Sequence, residues 1–197
     1  MALSVLNNFS IKAVSASVPK QELFTKDYVN LSSKEKELFI KTTGIETRRV
    51  APKHISTSDL CYEASKELLK KLNWSPGELD AIITVTQSPD YFVPGVSVLL
   101  QSKLGASKSC ISFDINLGCS GYVYGLFVAG NLLQSGQIKR ILLCTGDKSS
   151  SSTSSEDKST YPLFGDAATA TALEFDPNAD PFYFNLMTDG SGYEAIM

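Results

Sequence analysis

The sequence predicts an α/β protein in which helices cover a largely parallel central sheet. Short runs of β-branched and apolar residues, typical of strands buried on both faces, alternate with longer stretches that have helical spacing. Strands that alternate with helices favour parallel pairing through crossover connections. The last strand-like runs follow one another directly, which indicates an antiparallel addition at the end.

Composition and charge narrow the functional classes. The 197 residues suffice for one substantial core, and we treat 1–197 as one domain. The net charge of −3 is scattered, so there is no basic surface for nucleic acid. No apolar run approaches the ~20 residues that span a bilayer, and the first residues lack a signal-peptide pattern. We therefore expect a cytoplasmic protein without a membrane span.

The first half of the chain contains one predicted strand and two predicted helices. Residues 10–18 alternate loosely and end at a proline, which indicates a strand. The stretch "SSKEKELFIKTTG" reads as a helix ending at Gly44. Ser56 and Asp59 form a capping-box pattern ahead of a second helix. Its apolar residues share one face: Leu60, Ala64, Leu68 and Leu72.

The second half alternates more regularly between strands and helices. "AIITV" (81–85), "CISFDI" (110–115) and "RILLC" (140–144) are predicted strands. "VSVLLQSKL" is predicted to be a helix ending at Gly105, and 119–135 a helix closed by Gly136. "ATATALEF" and "FYFNLM" are strand-like, and the serine-rich tract 148–159 has the composition of a mobile surface loop.

The cysteines do not form a metal-binding or disulfide pattern. Cys61, Cys110, Cys119 and Cys144 show no C-x-x-C pair, and the chain has one histidine, His54, so no metal site is predicted. Three of the four lie in apolar-patterned elements, where a free cysteine acts as a small hydrophobe. The economical interpretation is a reduced protein.

The stretch "INLGCSGYVYGL" (115–126) places Cys119 between a strand and a helix. Chemistry collects at the carboxyl ends of parallel strands, and a helix N-terminus favours the thiolate. Cys119 is therefore a candidate nucleophile, and on spacing alone a small residue packed at a crowded turn is an equal alternative. Ser120 does not fit a hydrolase elbow, because Tyr122 stands where that motif requires glycine.

The other motifs give less information about function. No dinucleotide-binding or Walker-type glycine loop is present. Gly165 and Asp166 read as a turn before a strand, and Asp114 and Asp166 form no recognisable carboxylate pair.

Three ordered motifs carry a family resemblance: "TTGIETRRV" (42–50), "DINLGCSGYVYGL" (114–126) and "LFGDAATATAL" (163–173). Together they resemble the N-terminal half of β-ketoacyl-acyl carrier protein synthase III, a condensing enzyme of the thiolase superfamily. The resemblance implies half of a thiolase-like fold, with a mixed, mostly parallel five-stranded sheet covered by helices. It also implies an acyltransferase of fatty acid biosynthesis.

The chemistry that the resemblance implies has two steps. An acyl group moves from a carrier thioester to Cys119. A malonyl-acyl carrier protein then decarboxylates, and its carbanion attacks that acyl group to give 3-oxoacyl-acyl carrier protein. The Cys119 backbone N–H is the implied donor to the oxyanion. No bound cofactor is implied; acyl-CoA or an acyl-phosphopantetheine thioester is substrate, and acyl carrier protein is the partner.

The resemblance also implies that catalytic residues of the family are missing from this chain. The family's catalytic histidine and asparagine lie in a second half, and His54 matches no motif. We expect a truncated chain, or one whose other half is supplied separately, that accepts an acyl group without condensing it. The alternative is a non-catalytic acyl-binding or assembly subunit. A cysteine hydrolase ranks third.

Two regions carry the implied substrate contacts. Leu38 and Thr42 stand where family members that use coenzyme A often have tryptophan and arginine. Thr43 matches the family, and Lys158 replaces a stacking arginine. Thr43 and Lys158 are therefore candidate substrate-binding residues, while weaker adenine stacking leaves coenzyme A and a carrier protein open as donors.

The segment "TQSPDYFVP" (86–94) matches the place where family dimers meet, so a homodimer is expected. Val93 stands where the family often has phenylalanine, which makes Val93 a candidate pocket residue and suggests a roomier acyl pocket. Equally, Tyr91 and Phe92 would serve only as interface core.

Overall fold

The computed structural model describes residues 2–195, and its centre is a five-stranded sheet. No helix among these residues is long and apolar enough to cross a membrane. The helices are α1 (Ser33–Thr43), α2 (Thr57–Leu72), α3 (Val96–Leu104) and α4 (Gly121–Leu133). The strands are β1 (Ala2–Leu6), β2 (Phe9–Ser17), β3 (Glu22–Phe24), β4 (Thr47–Arg49), β5 (Ala81–Val85), β6 (Ile111–Ile115), β7 (Arg140–Lys148), β8 (Asp166–Phe175) and β9 (Phe182–Leu186).

The central sheet has the order β2-β8-β7-β5-β6. β5 pairs in parallel with both β6 and β7, and β8 pairs antiparallel with β7 and β2. The mixed, mostly parallel five-stranded sheet is therefore confirmed. The antiparallel strand, however, lies inside the sheet between β2 and β7, because the chain returns from β7 directly into β8.

The structure also contains two small two-stranded ribbons, β1–β9 and β3–β4. The sequence placed β9 elsewhere and gave no indication of the β3–β4 hairpin. β9 ("FYFNL") pairs with β1 rather than extending the sheet. β3 pairs with β4, which places part of the "TTGIETRRV" motif in a hairpin. Three residues per strand are too few for a periodic pattern, so this hairpin left no signal in the sequence.

The predicted helix caps at Ser56, Gly44 and Gly105 are present in the structure. The helix that was predicted to close at Gly136 ends earlier, at Leu133, and the capping box of α1 was not predicted. Ser32 and Glu35 form a capping box at α1, and Ser56 and Asp59 form one at α2. Gly44 ends α1 with φ +73°, a left-handed conformation that glycine adopts without a Cβ penalty. Gly105 ends α3 in the same way, with φ +72°.

The core lies on both faces of the sheet. On one face, α2 and α3 pack against alternate strand residues such as Ile82 and Leu142. On the other face, α4 and the β1–β9 ribbon pack against Ile83 and Leu143. Successive side chains of β5 and β7 therefore enter different halves of the core, which explains why both strands read as continuous apolar runs.

Candidate active site

Cys119 lies in a tight turn between β6 and α4. The Gly121 N–H donates to the Gly118 carbonyl at 2.8 Å and closes this turn around Cys119. α4 begins at Gly121, two residues later than predicted, so Cys119 precedes the helix instead of opening it. The Cys119 side chain is exposed. β5, β6 and β7 all point towards this edge of the sheet, the edge where α/β proteins collect their chemistry.

Two glycines bring α4 close to the sheet and so set the position of the turn. A methyl group on Gly125 would lie 2.8 Å from Leu143 Cδ1, and one on Gly121 would overlap the Val85 side chain. Both are approaches that a real side chain does not tolerate without rearrangement. The glycines that follow Cys119 therefore serve helix packing.

The other three cysteines are buried. Cys61 and Cys144 have no exposed surface, and Cys110 is 8% exposed. The hydrogen bond with Cys144, together with burial, raises the pKa of the Cys61 thiol well above its usual range. Burial likewise raises the pKa of Cys110. A thiol reacts with solvent reagents only where they can reach the sulfur, so the exposed Cys119 is the cysteine of this chain that they reach.

Carboxylates that sequence reasoning did not single out organise the loops around this edge. Near the end of β7, Asp147 Oδ1 accepts from the Gln87 and Ser88 N–H groups at 2.8 and 3.0 Å, and from the Thr86 hydroxyl at 2.9 Å. Asp90 in turn accepts from the Ser58 N–H at 2.9 Å and its hydroxyl at 2.6 Å. The sequence showed only an acidic residue near the end of a strand. It did not reveal the hydrogen-bond donors, because they are distant in the chain.

Asp114 and Asp166 have structural roles. Asp114 accepts from the Val96 and Ser97 N–H groups at 2.6 and 2.8 Å, so it caps α3, whose own N-cap residue is a glycine. Asp166 begins β8 and is 2% exposed. It accepts from the Ala51 and Ser150 N–H groups at 2.7 and 2.9 Å. The strand expected after Gly165 is therefore present, and Asp166 is its first residue rather than part of a preceding turn.

The serine-rich tract is tied to the fold at several points. Besides the Ser150–Asp166 bond, the Ser155 carbonyl accepts from the Tyr28 hydroxyl at 2.7 Å and from the Asn30 amide at 2.8 Å. Composition predicted a mobile loop, because serine-rich runs rarely pack. The anchors here are side chains from elsewhere in the sequence, which composition does not register.

The structure places Thr43 and Lys158 at opposite ends of α1. The Thr43 hydroxyl donates to the Phe39 carbonyl at 2.8 Å and accepts from the Ile45 N–H at 3.1 Å, so it finishes the helix. Lys158 Nζ lies 3.6 Å from Glu35 Oε1 in the first turn. The eight residues from Glu35 to Thr43 span about 12 Å. Leu38, between them, is 63% exposed.

Val93 lies on an exposed loop tip. Tyr91, Phe92 and Val93 are 60%, 102% and 84% exposed. A cavity of about 470 Å³ lies between this loop, the start of α2 and the serine-rich tract. Phe92 lines this cavity, whereas Cys119, Thr43, Lys158 and Val93 do not. The chain by itself therefore does not gather the four predicted site residues into one cavity.

His54 occupies an exposed turn before α2, as the sequence indicated. It lines a cavity of about 840 Å³ with Val18, Leu60 and Tyr62, and Cys119 does not line that cavity. No group of three or more histidine, cysteine, aspartate or glutamate side chains within residues 2–195 is arranged to hold a metal ion.

Comparison with known proteins identifies the relatives of this site. The family model described as 3-oxoacyl-[acyl-carrier-protein (ACP)] synthase III matches residues 113–190, which include the Cys119 turn. The β-ketoacyl-[acyl-carrier-protein] synthase III 2 of Halalkalibacterium halodurans is 35% identical over 181 residues, covering 91% of this chain and 54% of that protein. The chain is a homologue of β-ketoacyl-[acyl-carrier-protein] synthase III. The synthase III of Syntrophomonas wolfei is 36% identical over 184 residues, covering 92% of this chain and 55% of that protein.

Solved structures agree with this relationship. A 3-oxoacyl-(acyl-carrier protein) synthase from Burkholderia xenovorans superposes with a TM-score of 0.94 at 36% identity, covering 98% of this chain and 55% of that one. OleA of Xanthomonas campestris, at 21% identity and a TM-score of 0.74, shares the fold. The thiolase-like fold and the resemblance seen in three sequence motifs are confirmed. The chain spans about half the length of the synthase III relatives that it matches.

Proposed function

We propose that Cys119 accepts an acyl group from a thioester, as the first step of a decarboxylative condensation. The observation that carries this proposal is the exposed Cys119 in a turn at the carboxyl edge of the parallel strands, within the segment that matches the synthase III family. The buried positions of Cys61, Cys110 and Cys144 leave Cys119 as the accessible sulfur.

The first step is a thioester exchange. The Cys119 thiolate attacks the acyl carbonyl, a new carbon–sulfur bond forms, and the donor leaves as a thiolate that takes up a proton. Turn N–H groups beside Cys119, its own among them, would donate to the oxygen that becomes negative in the transition state. In the second step a malonyl thioester loses carbon dioxide, and its carbanion displaces Cys119 from the acyl carbon.

We infer that the second step depends on groups outside this chain, because the synthase III resemblance implies a histidine and an asparagine that lie in a second half. The chain has one histidine, and it lies in the exposed turn before α2. His54 therefore does not match the histidine that the resemblance implies for this step. We infer that the 197-residue chain is acylated on Cys119 and releases no 3-oxoacyl product alone.

The structure supports a carrier-bound thioester as the donor. α1 presents Leu38 at the position where coenzyme A-using members often have tryptophan, and an aliphatic side chain offers no ring for adenine to stack on. Lys158 supplies one cation at the first turn of α1, already paired with Glu35. A phosphopantetheine arm on an acyl carrier protein needs neither adenine stacking nor a nucleotide phosphate site.

We also propose that the active form is a homodimer. β6 is an edge strand of the central sheet, and an edge strand presents unpaired backbone groups to a partner. The loop tip with Phe92 and Val93 exposes consecutive apolar side chains. Contact with a second copy would cover them.

An assembly role is the second candidate, because a separate apolar surface also needs a cover. Four side chains around the β1–β9 ribbon and one on α4 are at least 45% exposed: Leu3, Val5, Tyr183, Met187 and Val123. Apolar side chains exposed together mark interaction surfaces. They fit a chain that works by packing against another module.

Intact mass spectrometry tests the proposal. The chain is incubated with a short acyl-CoA, an acyl-carrier protein and an acyl-N-acetylcysteamine. We expect the mass of one acyl group to appear on the wild type and on C110S, and not on C119S. Malonyl-carrier protein is then added, and no 3-oxoacyl product should form. Absence of an acyl adduct with every donor, together with slow alkylation of Cys119, would favour the assembly role.

A further inference from the structure

The segment that follows β5 is fixed to β7 by one carboxylate oxygen. Asp147 Oδ1 accepts from the Gln87 N–H at 2.8 Å, and from the Ser88 N–H and hydroxyl at 3.0 and 2.9 Å. The Ser88 hydroxyl oxygen in turn accepts from the Lys148 N–H at 2.7 Å. Because several bonds converge on adjacent residues, the backbone of 86–88 is held in one position relative to the end of β7.

This position places the Gln87 side chain over the turn that carries Cys119. A methyl group on Gly118 would lie 2.7 Å from Gln87 Oε1 and 3.1 Å from Cδ. The Gln87 amide therefore lies against Gly118, and a larger residue at 118 would have to displace it. Gly118 directly precedes Cys119, and its carbonyl accepts the bond that closes the turn.

The Gln87 side chain lies at the protein surface. It is exposed, and among residues 2–195 its amide makes no hydrogen bond, although the Gln87 backbone N–H is bonded to Asp147. An exposed side chain that packs on a glycine contributes little burial to the fold. Its placement over Gly118 therefore bears on the geometry of the turn more than on stability.

We propose that Gln87, whose backbone N–H is held by Asp147, is a positioning residue for the Cys119 turn. It limits the movement of Gly118 and so fixes where the Cys119 sulfur and the neighbouring N–H groups stand relative to an incoming thioester. This inference rests on the proposed role of Cys119 as acyl acceptor. Acyl transfer depends on that alignment, whereas alkylation by a small soluble reagent does so much less.

The test compares these two reactions in variants of the 197-residue chain. We expect Q87A to slow acylation of Cys119 by about tenfold, an effect of positioning, and to change its alkylation by iodoacetamide less than twofold. D147A should slow acylation similarly, and the Q87A/D147A double variant should be no slower than D147A, because both act through one contact. Wild-type acylation in Q87A, or additive effects in the double variant, would overturn the proposal.

A charge introduced at position 87 gives a second measurement, the pH dependence of Cys119 alkylation, which a purely structural role of Gln87 would not change. Q87E places a carboxylate beside the turn, and a nearby negative charge should move the pH midpoint of Cys119 alkylation upward. Q137E, beyond the far end of α4 and about 20 Å away along the helix, is the matched control and should not shift it. An unshifted midpoint in Q87E would contradict the proposed proximity.

The two proposals fail in different ways. If the wild type is not acylated by any thioester, the role of Cys119 fails, and the pH midpoints still report whether Gln87 acts on the turn. If the wild type is acylated and Q87A matches it, the role of Cys119 stands and the positioning role is wrong.

Discussion

Lys158 and Glu35 form an ion pair that joins the serine-rich tract to the first turn of α1, with 3.6 Å between Nζ and Oε1. Glu35 also accepts from the Ser32 N–H at 2.7 Å, as part of the capping box. The Ser32 hydrogen bonds, with a smaller contribution from Lys158, lower the pKa of Glu35. An anionic group of a substrate that approached Lys158 would thus compete with a carboxylate that is ionised at neutral pH.

This competition predicts opposite effects for the two partners. K158A should raise the acyl-CoA concentration that half-saturates acylation of Cys119, and E35Q should lower it, each about two- to threefold for one exposed charge pair. Neither should change the concentration needed for acyl-N-acetylcysteamine, which carries no phosphate. K66A removes a comparable pair, 3.6 Å from Glu63 on α2, and serves as control. Equal responses to both donors would show that Lys158 binds no phosphate.

The close packing of α4 predicts a steep response to one methyl group. G121A would force the new side chain into Val85 and should lower the free energy of unfolding by about 1–3 kcal/mol. Urea unfolding measures this loss. G190A is the control, because a methyl group there would have no neighbour within 4 Å. A G121A midpoint equal to that of G190A would mean that α4 has room to move.

The ionised Asp59 predicts a defined pH dependence. Burial alone would raise its pKa, but hydrogen bonds from Lys103 and Ser56 outweigh burial and lower the pKa below 3.8. Its stabilising contribution is therefore complete above pH 3.8 and is lost as the pH falls through the folded-state value. The difference in thermal midpoint between the wild type and D59N should be constant from pH 7 to 5 and shrink below about pH 4.

Lys103 provides the check on this assignment. Its Nζ lies 2.7 Å from Asp59 Oδ1, so K103A should reduce the same pH-dependent difference. A difference between wild type and D59N that widens on acidification would contradict the direction of the pKa shift.

The loop tip predicts the association state. If Phe92 is covered by a second copy, F92S should convert a dimer to a monomer in sedimentation or light-scattering measurements without lowering the thermal midpoint of the monomer. V29S is the matched control, because Val29 is 86% exposed on a different loop. A wild type that is monomeric at the concentrations used for acylation would refute the dimer proposal.

The sequence was most informative where local rules decide the structure. The capping pair predicted at Ser56 and the helix ends predicted at Gly44 and Gly105 are short-range features, and the structure has all of them. The buried strands were also recognisable, because β5 and β7 contribute side chains to both halves of the core.

Long-range contacts account for what was missed. The insertion of β8 between β2 and β7 depends on pairing between residues far apart in the chain, and a strand pattern does not specify its neighbours. Asp147 looks like any polar residue at a strand end, and its role appears only when Thr86, Gln87 and Ser88 are placed beside it. Cys119 was identified because three sequence motifs resemble a known family. Gln87 belongs to none of these three motifs, so its contact with Gly118 appears only in the structure.

The carboxylates on β6, β7 and β8 attach neighbouring segments to the central sheet. Asp114, Asp147 and Asp166 lie on strands, and each accepts from main-chain N–H groups of a neighbouring loop or helix start. Every amino acid except proline provides that donor. The exposed tip 91–93 can therefore diversify while its attachment persists, so a library randomised there would change the exposed side chains without costing the foldability of the scaffold.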